Sequence, residues 1–218
     1  MRLENVNSEI IQLAGKKKLE NRTIVITCKA KLVEARQINQ YVEHQTVEAC
    51  RTGCPNFAKK WSCPPYSNDY ENIAKNYCYA LLICVYTDME KYADIKNKYL
   101  ALKAANVTLK TLVEKMARQL EEELNGYALL SGSCRLCKPC NKKVNMPCKR
   151  PEKMRYSMEA THLNVGIMTK ENLGHELLWY REKTLPKYTS TVSLVLTNQL
   201  VGVSKQKEIL ETVMESLL

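Results

Sequence analysis

Four cysteines that lie close together in the second half of the 218-residue chain are its clearest candidates for chemistry. Cys134, Cys137, Cys140 and Cys148 are separated by two, two and seven residues. Short Cys-x-x-Cys steps let neighbouring thiolates converge on one ion or cluster, and the first three positions have the spacing of the bacterial ferredoxin run. We therefore predict a [4Fe–4S] cluster on these four thiols, with Cys148 as the ligand of the fourth iron.

Zinc is the alternative metal for this downstream group. Structural zinc sites generally use two separated Cys-x2–4-Cys knuckles. Here two overlapping steps are followed by a single, more distant cysteine. The spacing favours an iron–sulfur cluster, while the residues alone leave both metals open. Pro139, Pro147 and Pro151 restrict the backbone of the loop, so its ligands lose less conformational entropy when metal binds.

An upstream group contains Cys50, Cys54 and Cys63, separated by three and eight residues. This spacing departs from the Cys-x3-Cys-x2-Cys pattern of radical enzymes that use S-adenosylmethionine, so that chemistry is disfavoured. One interpretation is a cubane held by three thiolates, with one open iron where a substrate, sulfide or water binds. Structural cysteines beside the downstream site, or one larger site shared by both groups, are the other possibilities.

The other interpretation of the upstream group is a fourth ligand from elsewhere in the chain. The candidates are Cys28, Cys78, Cys84 and His44. Cys84 lies within an apolar run and is expected to be a buried thiol that serves packing. Cys28 and Cys78 are expected at the ends of elements, which makes them the better candidates.

The composition predicts a folded cytoplasmic protein. The chain is 45% hydrophobic and 26% charged, which is enough apolar material for a core. No stretch approaches 18 consecutive apolar residues, and the first residues lack the apolar region of a secretory signal. We therefore expect no membrane partner, and ten cysteines in the cytoplasm are expected to be ligands or catalysts. A single metal-binding domain over residues 1–218 is predicted, with cysteine loops at about 50–67 and 131–151.

The net charge of +10 suggests an anionic partner, but metal sites reduce it. Four thiolates around Zn²⁺ or around a cubane core of charge +2 leave −2, so two such sites lower the total to about +6. Nucleic acid is therefore the less favoured partner. The sequence also lacks the GxGxxG, Walker A, HExxH and GxSxG motifs, which argues against dinucleotide binding and nucleotide hydrolysis.

Hydrophobic periodicity predicts strands alternating with helices. Predicted strands cover 23–28, 80–86, 127–130 and 192–197. Predicted helices cover 1–20, 69–76, 88–125, 158–166, 169–174 and 204–218, with 29–44 helical or irregular. Gly126 is the expected stop of the longest helix, and Ser157 is an expected N-cap. These elements indicate an α/β or α+β fold, with a small mixed sheet flanked by helices and two cysteine-rich metal-binding loops.

The two groups, with Arg-x-Ser-Met-Glu-Ala after the second, resemble the DUF2284 family of predicted metal-binding proteins over roughly residues 45–170. The resemblance implies metal binding without a settled reaction, and a source among anaerobic microbes. The family pattern extends to the seven cysteines and to Arg155, Ser157, Met158 and Glu159, for which a helix cap with its charge complement is favoured over a ligand site. His162 departs from the pattern, since the family is expected to have glycine there.

The leading functional hypothesis is an iron–sulfur protein with one or two [4Fe–4S] clusters. It would transfer electrons to a redox partner protein or reduce a small-molecule substrate at an open iron, which would make it an oxidoreductase. The alternative is a zinc-stabilised binding module whose basic surface meets nucleic acid or protein. The sequence does not predict the oligomeric state.

Overall fold

A five-stranded sheet forms the centre of the molecule in the computed structural model, which describes residues 9–218. The strands are β1 (Ile11–Lys18), β2 (Thr23–Glu34), β3 (Tyr79–Asp88), β4 (Tyr127–Leu129) and β5 (Tyr188–Thr197). Their order is β1-β2-β3-β5-β4, and each neighbouring pair is antiparallel. The prediction of a sheet flanked by helices is confirmed, and the fold is α+β, but the sheet is antiparallel and not mixed.

Within residues 9–218, five α-helices surround this sheet. They are α1 (Thr46–Gly53), α2 (Tyr70–Ala74), α3 (Lys98–Glu123), α4 (Val165–Leu173) and α5 (Val203–Leu217). Short 3-10 helices cover Ala35–Tyr41, Met89–Tyr92, Asn141–Val144 and Glu159–Thr161. Among residues 9–218, no helix combines the length and the apolar character needed to cross a bilayer.

Helices cover both faces of the sheet, and the side chains of the central strand β3 contribute to a hydrophobic cluster on each face. Its side chains alternate between two hydrophobic clusters. Leu81 and Ile83 pack with residues of α3 and α5, whereas Leu82 and Cys84 pack with residues of α2 and α4. The uninterrupted apolar run that predicted a strand buried on both faces is thereby confirmed.

The helix predicted over 1–20 is wrong where the structure describes it, because residues 11–18 form β1. Residues 1–8 lie outside the described part. Exposure alternates along the strand, with Ile11 buried, Gln12 exposed and Leu13 half-buried, which is the period of a strand. Pairing with β2 from Ile11–Ala30 to Lys18–Thr23 overrides the weak helical pattern.

Several other boundaries differ from the predictions. Residues 29–34 continue β2 because Ala30 and Leu32 are buried and paired with β3. The long helix begins only at Lys98, where Asn97 caps it by accepting a hydrogen bond from the Leu100 N–H at 3.1 Å. Of the two helices predicted over 158–174, the first is a single 3-10 turn and the second is α4, which is longer than expected.

The downstream cysteine loop is closed at its base by the sheet. Leu130, just after β4, forms an isolated parallel bridge with Ser157. The Leu130 N–H donates to the Tyr156 carbonyl at 2.8 Å, and the Met158 N–H donates to the Leu130 carbonyl at 3.1 Å. The downstream cysteine loop therefore begins and ends at backbone positions that are hydrogen-bonded to each other.

Candidate metal centre

The four downstream cysteines line one small cavity of about 20 Å³, together with Trp61 and Ser62 of the upstream loop. Their side chains are all half-buried. The cavity is also lined by Leu136, Arg150 and Met154. The fold thus brings Cys134, Cys137, Cys140 and Cys148 to a common space.

The upstream loop holds the downstream loop in place. The Trp61 indole N–H donates to the Met146 carbonyl at 2.9 Å. The hydroxyl of Ser62 accepts a hydrogen bond from the Cys134 backbone N–H at 3.1 Å. Two neighbouring residues of one loop therefore hold the other near both ends of its cysteine run.

Lys60 lies between the two cysteine groups. Its ammonium donates to the Ser133 hydroxyl at 3.0 Å and to the Cys134 carbonyl at 2.8 Å. Burial raises the pKa of the Cys134 and Cys63 thiols, and the positive charge of Lys60 is among the influences that lower both. One ammonium thus favours the thiolate form in both groups.

The three upstream cysteines line a second, larger cavity of about 190 Å³. Cys50 lies in the last turn of α1 and Cys54 directly follows that helix, so the predicted loop over 50–67 begins in a helix. Burial raises the pKa of Cys50 and Cys63, and the neighbouring Cys54 thiol raises both further. The polar lining also includes Lys110, Ser131, Ser133, Ser157 and Glu159.

None of the four proposed additional ligands lines this larger cavity. Cys28 and Cys84 are buried in the two opposite hydrophobic clusters, and burial raises the pKa of Cys28 to about 12. Cys28 lies within β2 and not at its end, whereas the expected burial of Cys84 is confirmed. Cys78 is exposed just before β3. The Nδ1 atom of His44 lies 2.6 Å from Nδ1 of His162.

The donor set of the downstream cavity fits a thiolate-bound metal centre, since it offers four sulfur ligands. Within residues 9–218, no three His, Cys, Asp or Glu side chains are close enough together to hold an ion as they stand. A cavity of about 20 Å³ also has room for only about one water-sized atom. Binding an ion or a cubane therefore requires the half-buried cysteine side chains to turn.

A family model described as predicted metal-binding protein, DUF2284, matches residues 31–197. The chain belongs to this family. The match extends beyond the region of the sequence resemblance and includes both cysteine groups and strands β3 to β5. Searches of curated proteins and of solved structures gave no match.

Among the DUF2284 motif residues after the second loop, Arg155 has a structural role. Its guanidinium pairs with the carboxylate of Glu121 and lies 4.6 Å from the centre of the Tyr127 ring. Glu121 also accepts a hydrogen bond from the Ala128 N–H at 2.7 Å. The pair fixes the end of α3 against β4 and the exit of the loop.

The remaining motif residues have different environments. Ser157 accepts a hydrogen bond from the Ala160 N–H at 3.2 Å, but Met158 and not Ser157 is the N-cap of the short 3-10 helix, so the expected cap is wrong. Met158 is fully buried. Glu159 lines the three-cysteine cavity, and its carboxylate contributes, after burial and Cys54, to the raised pKa of Cys50.

His162, which departs from the DUF2284 pattern, has a φ angle of 72°. This left-handed conformation is one that glycine adopts at little cost, which explains the expected glycine at this position. The imidazole contacts His44, and its Nε2 lies 3.4 Å from Asp69 Oδ1. His162 therefore makes side-chain contacts beside α1 in a backbone conformation that costs it more than it would cost glycine.

Part of the polar wall of the three-cysteine cavity was not predicted from the sequence. Lys110 comes from the exposed side of α3, and Ser131 follows β4, so both lie far along the chain from Cys50, Cys54 and Cys63. Neither residue belongs to a motif. Only the packing of α3 and β4 beside the upstream loop brings them to the site.

Proposed function

We propose that this DUF2284 protein is an iron–sulfur protein with one or two [4Fe–4S] clusters, and that it transfers electrons or reduces a small substrate at an open iron. The observation that supports this proposal is the division of seven cysteines into two sets. Each set lines its own cavity, and residues 60–62 connect the two. Such an arrangement suits a relay beside a reaction site.

In this proposal the four-thiol site is the relay. A bound cluster supplies reversible one-electron transfer at a potential that depends on charge, hydrogen bonding and exposure. Four cysteine ligands leave no open position there. The protein's own residues would set the environment: Trp61 and Met154 cover the cavity, while Lys60 and Arg150 place positive charge beside it, which favours a reduced cluster.

The three-thiol site is the proposed site of reaction. Cys50, Cys54 and Cys63 offer three ligands, and the wall of the cavity opposite them is polar. A fourth cluster position without a cysteine would face Glu159 and the serine hydroxyls of this wall. These groups would orient a small substrate and hold a proton for its reduction.

The electron donor in this proposal is an acidic redox partner. The downstream loop carries Lys138, Lys143, Lys149 and Arg150, which are all exposed. A basic surface around an electron-entry site speeds encounter with a partner of opposite charge and makes that rate sensitive to salt.

The test is iron and acid-labile sulfide analysis of anaerobically purified protein, with an absorption spectrum. Two cubanes give about eight irons and eight sulfides per chain, and one gives about four. Cys50→Ala and Cys137→Ser should each remove about half of the iron in the two-cluster case. The exposed Cys78→Ser, which lines neither cavity, is the matched control and should retain all of it.

A zinc-stabilised binding module is the competing outcome of the same experiment. The observation that favours it is the exposed basic surface of the downstream loop, which would suit nucleic acid. Stoichiometric zinc without sulfide in a colourless protein would replace the iron–sulfur proposal. Nucleic-acid affinity that falls steeply with salt would then support the binding module.

A further inference from the structure

A third cavity, of about 160 Å³, adjoins the three-cysteine cavity. The two share three lining residues, Lys110, Ser131 and Glu159, so they meet at a common wall. A water molecule occupies about 30 Å³ in the liquid, so this space holds a ligand of several non-hydrogen atoms. Apart from Ser131 and Glu159, the lining residues of this cavity belong neither to a DUF2284 motif nor to the cysteine loops.

The shared wall carries two side chains of opposite charge, Lys110 and Glu159, that are not paired with other groups in the described part of the chain. Among residues 9–218, the side chains of Lys110 and Glu159 form no ion pair and no hydrogen bond with other side chains or with the backbone. The ammonium of Lys110 lies close to the backbone at Gly132, about 4.0 Å from where a β-carbon would stand. An ammonium and a carboxylate at one junction can together recognise a carboxylate and a nearby hydrogen-bond donor.

The rest of the cavity has an apolar part and a polar part. Leu102, Leu177 and Val192 form apolar wall. Thr191 also lines the cavity, and its side chain is 3% exposed. Its hydroxyl has no hydrogen-bond partner within the described part of the chain. A buried polar group without a partner is unfavourable, and this one lies in the wall of the cavity.

We propose that this cavity is the substrate pocket of the three-cysteine site and takes a small carboxylate with a hydroxyl or ammonium group on the neighbouring carbon. Lys110 binds the carboxylate, and Glu159 accepts a hydrogen bond from the hydroxyl or ammonium group. Binding at the shared wall places the carbon that carries the hydroxyl or ammonium group on the side of the cysteines. The role as a substrate pocket rests on the proposed function, whereas the binding itself does not.

Trp179 provides a direct probe, because it lines the cavity and is 66% exposed at its edge. The chain has two tryptophans, and Trp179→Phe assigns the two indole N–H signals in an NMR spectrum of ¹⁵N-labelled protein. Lactate and L-alanine are the ligands to titrate. Lactamide, which lacks the negative charge, is the control compound.

Lactate or L-alanine should shift the Trp179 signal in a saturable manner, with a Kd in the millimolar range. Lys110→Met should weaken this binding about tenfold, as expected for a lost charge-assisted hydrogen bond. Lys115→Met, an exposed lysine of the same helix that lines neither cavity, should leave it unchanged. Both variants should retain the metal content of the parent protein.

Three results would overturn the inference: no saturable shift with either acid, equal binding by Lys110→Met, or equal binding of lactamide and lactate. Metal analysis of the same samples separates the two proposals. Binding by protein that proves to hold no iron would support the pocket and reject the iron–sulfur function. Iron-loaded protein that binds neither acid would reject the pocket alone.

Discussion

At the scale of single residues, Lys60 connects the two cysteine groups most directly. It holds the backbone of the downstream loop through Ser133 and Cys134, and its charge lowers the pKa of thiols on both sides. Because metal binding requires thiolates, removal of this charge should weaken both sites together.

We expect Lys60→Met to weaken metal binding about tenfold in competition with a chelator, which corresponds to about 1.4 kcal/mol. The loss combines two charge-assisted hydrogen bonds with a lost positive charge beside the thiols. Lys59→Met is the matched control, since Lys59 is exposed and next in sequence. Equal chelator sensitivity of the two variants would contradict this role.

His175 is a second residue with a testable consequence. It is 5% exposed, its Nε2 lies 2.8 Å from the Ser190 hydroxyl, and burial, followed by the charge of Lys29, lowers its pKa below the usual 6.5. As the pH falls, the unfolded chain takes up this proton before the folded protein does. The contribution of His175 to stability is therefore complete above about pH 6.5 and is lost as the pH falls toward the folded pKa.

We expect the free energy of unfolding of the parent protein to fall more between about pH 7.5 and pH 5.5 than that of His175→Gln, which has no such proton. Urea unfolding at several pH values measures the difference. NMR titration of the His175 ring should give a pKa below that of a free histidine. If the free energy of unfolding depended on pH equally in the two proteins, the lowered pKa of His175 would be contradicted.

At the scale of elements, the packing of α3 against β5 places the polar wall beside the cysteines, and this packing depends on a close approach of two backbones. Gly126 was predicted to end the long helix, but the left-handed residue there is Asn125, with φ 45°. A β-carbon on Gly126 would lie 2.2 Å from the Leu196 carbonyl oxygen. Glycine is needed there because the backbones of the helix end and β5 approach closely.

Gly126→Ala should therefore destabilise the protein by about 1–3 kcal/mol, as overpacking against backbone does. Gly53→Ala is the matched control: its added β-carbon meets nothing within 4 Å, and it lies in α1. Alanine there should be neutral or stabilising by at most about 1 kcal/mol. Chemical denaturation of the two variants measures both effects, and equal stabilities would refute the close approach as the reason for glycine.

At the scale of the whole molecule, the hydrophobic core and the cysteine loops are largely separate. The two core clusters consist of strands, helices and the segments between them, and contain none of the four downstream cysteines. The downstream loop is fixed mainly by hydrogen bonds at its base and to residues 60–62. Metal is therefore expected to order the loop without being required for the sheet.

Removal of metal should leave the far-UV circular dichroism nearly unchanged and make the downstream loop sensitive to trypsin. Lys143 and Lys149 are exposed sites within it. Small zinc domains behave in the opposite way and unfold when metal is removed. Loss of the far-UV signal with the metal would show that the core depends on the sites.

The sequence by itself determined the family, the two cysteine groups and the elements with strong local patterns. The apolar run of β3 and helix α5 follow from local periodicity, which depends on nearby residues. The strand at residues 11–18 was not predicted, because its pattern is weak and pairing with β2 decides its conformation.

Only the tertiary structure decided which residues surround the cysteines. Lys60, Ser62, Lys110 and Glu159 have no shared spacing in the sequence. They meet because α3 packs on one face of the sheet beside two loops, one between β2 and β3 and one after β4. Candidate metal ligands are indicated by short spacing, which can be read along the chain. The walls of a cavity depend on contacts between distant segments, which the sequence encodes only through the whole fold.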